Sequence, residues 1–135
     1  MSIKYIDDNI LDIYIMKDKI NIDLNNSKEL EKYIRKILQD KDINGFYYVN
    51  VYIDKYYGIV IHLEKDKLDY FNYYKDELDM KISVKNSVFL YQIDNFNYKG
   101  KIHIINNNMY LEIESDEDLM YIMENCNNIL YNYSK

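Results

Sequence analysis

Apolar residues along this chain recur at two spacings, and each spacing predicts an element. Ile3 to Ile6 and Ile10 to Met16 flank Asp7-Asp8-Asn9, and in the second run Leu11, Ile13 and Ile15 alternate with Asp12, Tyr14 and Met16. A period of two is that of a half-buried strand, so a β-hairpin opens the fold. Leu30, Tyr33, Ile34, Ile37 and Leu38 then fall at i, i+3, i+4, i+7 and i+8, which places them on one helical face. Asn26 or Ser27 can cap this helix, Glu29 suits its positive end, and Lys36 and Lys41 suit the other. Phe46 to Ile53 and Ile59 to Glu64, joined through Asp54-Lys55-Tyr56-Tyr57-Gly58, form a second pair of strands. Val49, Val51 and Ile53 with Ile59, Ile61 and Leu63 give this pair an aliphatic side; Tyr48, Asn50 and Tyr52 with Val60, His62 and Glu64 occupy the other.

The segment Asp66 to Asp79 breaks the strand pattern. Leu68, Phe71 and Tyr74 can share a helical face there, so a short helix or an ordered loop is expected. Four more strands follow, at Met80 to Val84, Val88 to Ile93, Lys101 to Ile105 and Met109 to Glu114. The last two form a hairpin around Asn106-Asn107-Asn108, because Asn tolerates the left-handed conformation of tight turns. Ser115 caps a final helix with Asp116, Glu117 and Asp118 in its first turn, and Leu119, Ile122, Met123, Cys126, Ile129 and Leu130 make its buried stripe. The expected fold is α+β, an antiparallel sheet with two amphipathic helices on one face. The element order is β-β-α-β-β-(short helix or loop)-β-β-β-β-α. No Pro/Gly/Ser-rich linker divides residues 1–135, so they read as a single domain, or as two small lobes hinged near residues 66–79.

Composition adds limits to this picture. Of 135 residues 17 are tyrosine, a density suited to a recognition surface and equally to the codon usage of an AT-rich genome, since alanine, proline, threonine and tryptophan are absent. The net charge is −6, and nearly every cation is a lysine, with Arg35 the only arginine, so direct binding of nucleic acid is disfavoured. Cys126 is the only cysteine, which excludes an internal disulfide and the Cys clusters of structural zinc sites. No apolar run resembles a signal peptide or a membrane span. A cytoplasmic protein without cofactor or metal is expected, with no membrane partner.

Chemistry-bearing residues are sparse. Cys126 with His62 or His103 as base would make a nucleophile, but its place on the apolar side of the last helix favours a core residue. His62 with Glu64, and Glu112 with Glu114, share strand faces and invite a metal reading. Both pairs sit where polar residues belong on a solvated side, which favours the plainer view. With only three glycines, Gly45, Gly58 and Gly100, a glycine-rich phosphate loop is excluded. No catalytic residue is assigned. The acidic, aromatic stretch is the best functional candidate: Tyr70, Phe71, Tyr73 and Tyr74 lie among Asp69, Asp76, Glu77 and Asp79, rings that can anchor a partner within a negative rim. The competing reading is a connecting helix that buries Leu68 and Phe71.

The opening Ile3-Lys4-Tyr5-Ile6-Asp7-Asp8-Asn9-Ile10 and the paired strands Phe46 to Glu64 resemble the N-terminal domain of MecA-type adaptor proteins, which deliver substrates to Clp unfoldases. Val88 to Phe96, and Met109-Tyr110-Leu111-Glu112 followed by an acidic helix start, are similar to the C-terminal domain of such adaptors. The resemblance implies interaction rather than catalysis, and it carries over no site residue.

Three functions follow as expectations. The first is a non-enzymatic interaction module, an adaptor or regulator, that binds a protein with a basic surface through the tyrosine-bearing sheet face with Tyr48 and Tyr52 or through the segment Asp66 to Asp79 with Asp69, Tyr70, Phe71, Tyr73, Tyr74, Asp76 and Glu77. The second is an acidic inhibitor of a nucleic-acid-binding protein, presenting carboxylates in place of phosphates. The third is a small-molecule enzyme built around His62 or His103. A homo-oligomer is compatible with each.

Overall fold

In the computed structural model, which describes residues 1–66, 77–94 and 97–133, the first hairpin joins β1 (Ser2–Asp7) to β2 (Ile10–Met16). Asp7 Oδ1 accepts the Asn9 N–H at 2.7 Å and so closes the turn. A single 3-10 turn at Lys17–Lys19 leads towards α1 (Ser27–Asp40), where Asn26 Oδ1 accepts the N–H groups of Lys28 and Glu29 at 3.1 and 3.2 Å. That is the expected N-cap, satisfying two of the donors a helix start leaves open. β3 (Gly45–Asp54) and β4 (Gly58–Lys65) pair antiparallel, β4 also pairs with β2, and β5 (Leu78–Asn86) lies beside β3. The resulting sheet has the order β1-β2-β4-β3-β5. Leu30, Ile34 and Leu38 of α1 are fully buried against Leu11, Ile13, Ile15, Val49, Val51, Ile59, Ile61 and Leu63. Each such aliphatic side chain contributes about 1.5–3 kcal/mol by leaving water.

Three departures from the expected fold have physical reasons. First, the strands form two sheets rather than one. β6 (Leu90–Gln92), β7 (Gly100–Ile105), β8 (Asn108–Ile113) and β9 (Asn128–Leu130) make a second sheet of order β7-β8-β6-β9, which with α2 (Leu119–Asn125) packs on the face of the first sheet opposite α1. The two helices therefore do not share a face. Val60 explains the stacking: it lies among the polar positions of β4, yet it is fully buried with Phe89, Tyr91, Leu111 and Ile122. Second, β5 runs parallel to β3, with Gly45 opposite Leu78 and Ile53 opposite Asn86. β4 has already returned the chain to the end of the sheet where β3 begins, so β5 starts at that end and runs alongside β3. The predicted short helix or loop, and the hinge placed near it, fall largely on residues 67–76, outside the described residues.

Third, the last helix starts at Leu119 instead of just after Ser115, with Asp118 at its N-cap making no side-chain capping bond, and it ends at Asn125. Ile129 and Leu130, expected on its stripe, belong to β9. Cys126 turns extended and the Asn127 N–H donates to Gln92 O at 2.9 Å, which draws the chain into the sheet. The asparagines at 125, 127 and 128 give the helix little reason to continue. The Asn hairpin between β7 and β8 forms as expected, with Asn106 and Asn107 at φ 51° and 67°, the left-handed pair that a two-residue hairpin turn requires.

The two layers are tied by a buried carboxylate. Asp54, only 7% exposed, accepts the N–H groups of Tyr56 and Tyr57 on Oδ2 and that of Phe89 on Oδ1, each at 2.9 Å. It thereby shapes the β3–β4 turn and fixes the chain entering β6. Among the described residues no helix is long and apolar enough to cross a membrane.

Candidate functional site

The sheet register aligns a polar row across the face opposite α1. Lys4 lies opposite Asp12, Asp12 opposite His62, His62 opposite Asn50, and Asn50 opposite Ser83. The alternation pattern puts these residues in water, but the structure buries the middle of the row. Asp12 is 2% exposed, with its Oδ1 2.6 Å from His62 Nδ1 and its Oδ2 accepting the Tyr131 hydroxyl at 2.6 Å. The ring of Tyr131 packs on Tyr52 at 5.2 Å and on Tyr14 at 6.2 Å between centroids, and so roofs the pair. A carboxylate only accepts, so Nδ1 of His62 bears the proton.

The Asp12 hydrogen bond raises the His62 pKa above its ordinary 6.5, with burial pulling the other way and Glu64 adding to the rise. Burial and the Asp12 bond likewise push the Tyr131 hydroxyl up. A raised folded-state pKa means that the His62 contribution to stability is complete below about pH 6.5 and is lost as pH rises through the folded value. Melting temperature should therefore fall between about pH 6 and pH 8 by more in the wild type than in His62→Asn. Equal slopes in thermal melts across that range would assign the pH dependence to other groups.

The residues singled out from sequence end up in different settings. Tyr48 is 44% exposed and donates its hydroxyl to Asp66 Oδ2 at 3.1 Å, while its ring meets Phe46 edge-on at 5.5 Å. Tyr52, on the same side of β3, is half-buried beneath Tyr131. Glu77 is exposed and its backbone carbonyl accepts the Gly45 N–H at 2.7 Å. Asp69, Tyr70, Phe71, Tyr73, Tyr74 and Asp76 lie outside the described residues. His103 Nε2 pairs with Glu112 Oε1 at 2.8 Å on the second sheet, and Cys126 donates its thiol to Asn128 O at 2.8 Å, with burial pushing its pKa up. Among the described residues no group of three His, Cys, Asp or Glu side chains is placed to hold a metal ion.

Sequence reasoning missed a cleft at the turn end of the first hairpin. About 630 Å³ in volume, it is lined by Tyr5, Asp7, Asp8, Leu11, Asp42, Ile43, Asn44 and Tyr47. Tyr5, 69% exposed on the edge strand, forms one lip, while Leu11 and Tyr47 are buried beneath. Asp7 and Asp8 come from the β1–β2 turn. Asp42 comes from the end of α1, where it adopts φ 55° and its N–H donates to Gln39 O at 3.0 Å. Three carboxylates thus rim an aromatic and aliphatic floor, and among the described residues no basic side chain belongs to the lining. Asp66 and Glu77, at the two ends of the β4–β5 connection, mark the same end of the sheet through Asp66 N–H to Phe46 O and Glu77 O to Gly45 N–H. The signal available in the sequence was the acidity of both turns; that they converge is a tertiary fact. No protein-family model, curated protein or solved structure matches the chain.

Proposed function

We propose that this chain is a non-enzymatic protein-interaction module, an adaptor or regulator, that receives a lysine- or arginine-rich segment of its partner in the cleft rimmed by Asp7, Asp8 and Asp42. The observation that carries the reading is the composition of that cleft: carboxylates of one sign around Tyr5, Tyr47, Leu11 and Ile43. A lysine or arginine stem can lie along the apolar floor while its charged head meets a carboxylate, and a cation over a tyrosine face adds about 0.5–1 kcal/mol. The net charge of −6 favours encounter with a basic partner at a distance. The resemblance to MecA-type adaptors points in the same direction, toward delivery of another protein. The acidic-inhibitor reading differs only in the partner, whose basic segment would then be its nucleic-acid-binding surface.

The test is the anisotropy of a labelled lysine/arginine-rich peptide titrated with the wild type and with the triple variant Asp7→Asn, Asp8→Asn, Asp42→Asn. Asparagine keeps the side-chain oxygen that closes the Asp7 turn, so folding is preserved. Surface charge pairs contribute about 0.2–1 kcal/mol each, so binding should weaken about tenfold in the variant and fade with added salt. Equal affinity of wild type and variant, or equal binding of a glutamate-rich peptide, would reject the cleft as the docking site.

A further inference from the structure

At the opposite end of the first hairpin the structure forms a second cleft, independent of the acidic one, and we propose that it binds a small monocyclic phenol. The cleft measures about 330 Å³, the lower end of the range for small-molecule sites. Lys4 and Tyr14 contribute from the hairpin, Tyr57 from the β3–β4 turn, and Met123, Cys126 and Ile129 from the α2–β9 corner.

Its hydroxyls point to the ligand. Tyr14 and Tyr57 make no side-chain hydrogen bond with any described residue, although both rings pack into the core between the sheets. Behind them, outside the lining of the cleft, the side chain of Tyr91 is fully buried, and its Oη has no partner among the described residues. Tyr57 is the junction of the group, close to Tyr14, Tyr91 and Cys126. Burial pushes the hydroxyls of Tyr14 and Tyr57 up to about 12, so both are neutral at physiological pH and each can donate and accept. Two rings, Met123 and Ile129 supply apolar walls, and a thioether beside an aromatic ring is a favourable contact.

Charge selects against ions. Lys4 stands exposed at the rim and is the only charged side chain in the lining among the described residues, while the Asp12 carboxylate lies beyond Tyr14 and opposes an anion there. A neutral ring with one hydroxyl fits: its oxygen accepts from one tyrosine while its proton goes to the other. No covalent step is involved.

Phenol itself is the probe, with toluene, benzoate and benzylamine as comparisons of similar size. Titration followed by NMR should move signals of Tyr14, Tyr57, Met123 and Cys126, and phenol should slow alkylation of Cys126 by iodoacetamide. Tyr14→Phe and Tyr57→Phe keep the rings and remove one hydroxyl each, and each should weaken phenol about fivefold. Met123→Trp should fill the cleft and abolish the shifts. Toluene, benzoate or benzylamine binding as tightly as phenol would overturn the proposal, as would undiminished affinity in both Phe variants. None of these outcomes bears on the acidic cleft, which lies at the other end of the hairpin.

Discussion

Asp54→Ala is expected to destabilise the fold by about 4 kcal/mol, because it strands two buried N–H groups and one part-buried N–H group at once. Tyr56, Tyr57 and Phe89 donate to the two carboxylate oxygens and have little water to turn to. The loss falls on the joint between the layers: the β3–β4 turn loosens, and Phe89, 1% exposed in the second core, loses the bond that sets its backbone. Urea unfolding measures the effect directly. Asp54→Asn should fall between the wild type and alanine, since one oxygen remains while the new amide group faces an N–H. A shift below about 1 kcal/mol in the alanine variant would mean that solvent reaches these donors and that the tie is dispensable.

Gly58→Ala should cost a comparable amount, about 3 kcal/mol, through the backbone rather than through lost bonds. Gly58 opens β4 at φ +130°, a conformation that side chains disfavour, and an added Cβ would stand 2.4 Å from Ile15 O and 2.6 Å from Lys17 N. Neither atom is the end of a flexible side chain. To make room the β2–β4 pairing must part where Met16 faces Gly58 and where the Lys17 N–H donates to Tyr57 O. Amide exchange at Ile15 to Lys17 should accelerate along with the drop in melting temperature. An unchanged melting temperature would show that the turn rearranges freely.

The first sheet was legible in the sequence because its aliphatic side repeats with little interruption. Leu11, Ile13, Ile15, Val49, Val51, Ile59, Ile61 and Leu63 all face α1, as the alternation of period two dictates. The same alternation says only which side a residue takes, not what covers that side. Asp12 and His62 therefore read as solvent-facing, and the burial of Asp12 depends on Tyr131, which sits 119 positions away. Local hints existed in Tyr14, Met16 and Val60, apolar residues on a side supposed to be wet. The parallel pairing of β3 with β5 left no trace, since strand direction is not written in periodicity. Of the candidate surfaces, the aromatic richness of β3 was visible. The acidic cleft was not, because Asp7 and Asp8 look like turn residues and Asp42 like the end of a helix until the fold brings them together.

The tie between Asp12 and Tyr131 also bears on the order in which the chain assembles. Closing a loop of 119 positions is entropically costly compared with closing the hairpins, so this contact belongs late in the sequence of events. Until it closes, the carboxylate keeps its water and the chain owes nothing for its burial. Dehydration of Asp12 is deferred to the moment when Tyr131 and His62 are both at hand, and a first sheet that has formed without the second need never hold a lone charge in an apolar place.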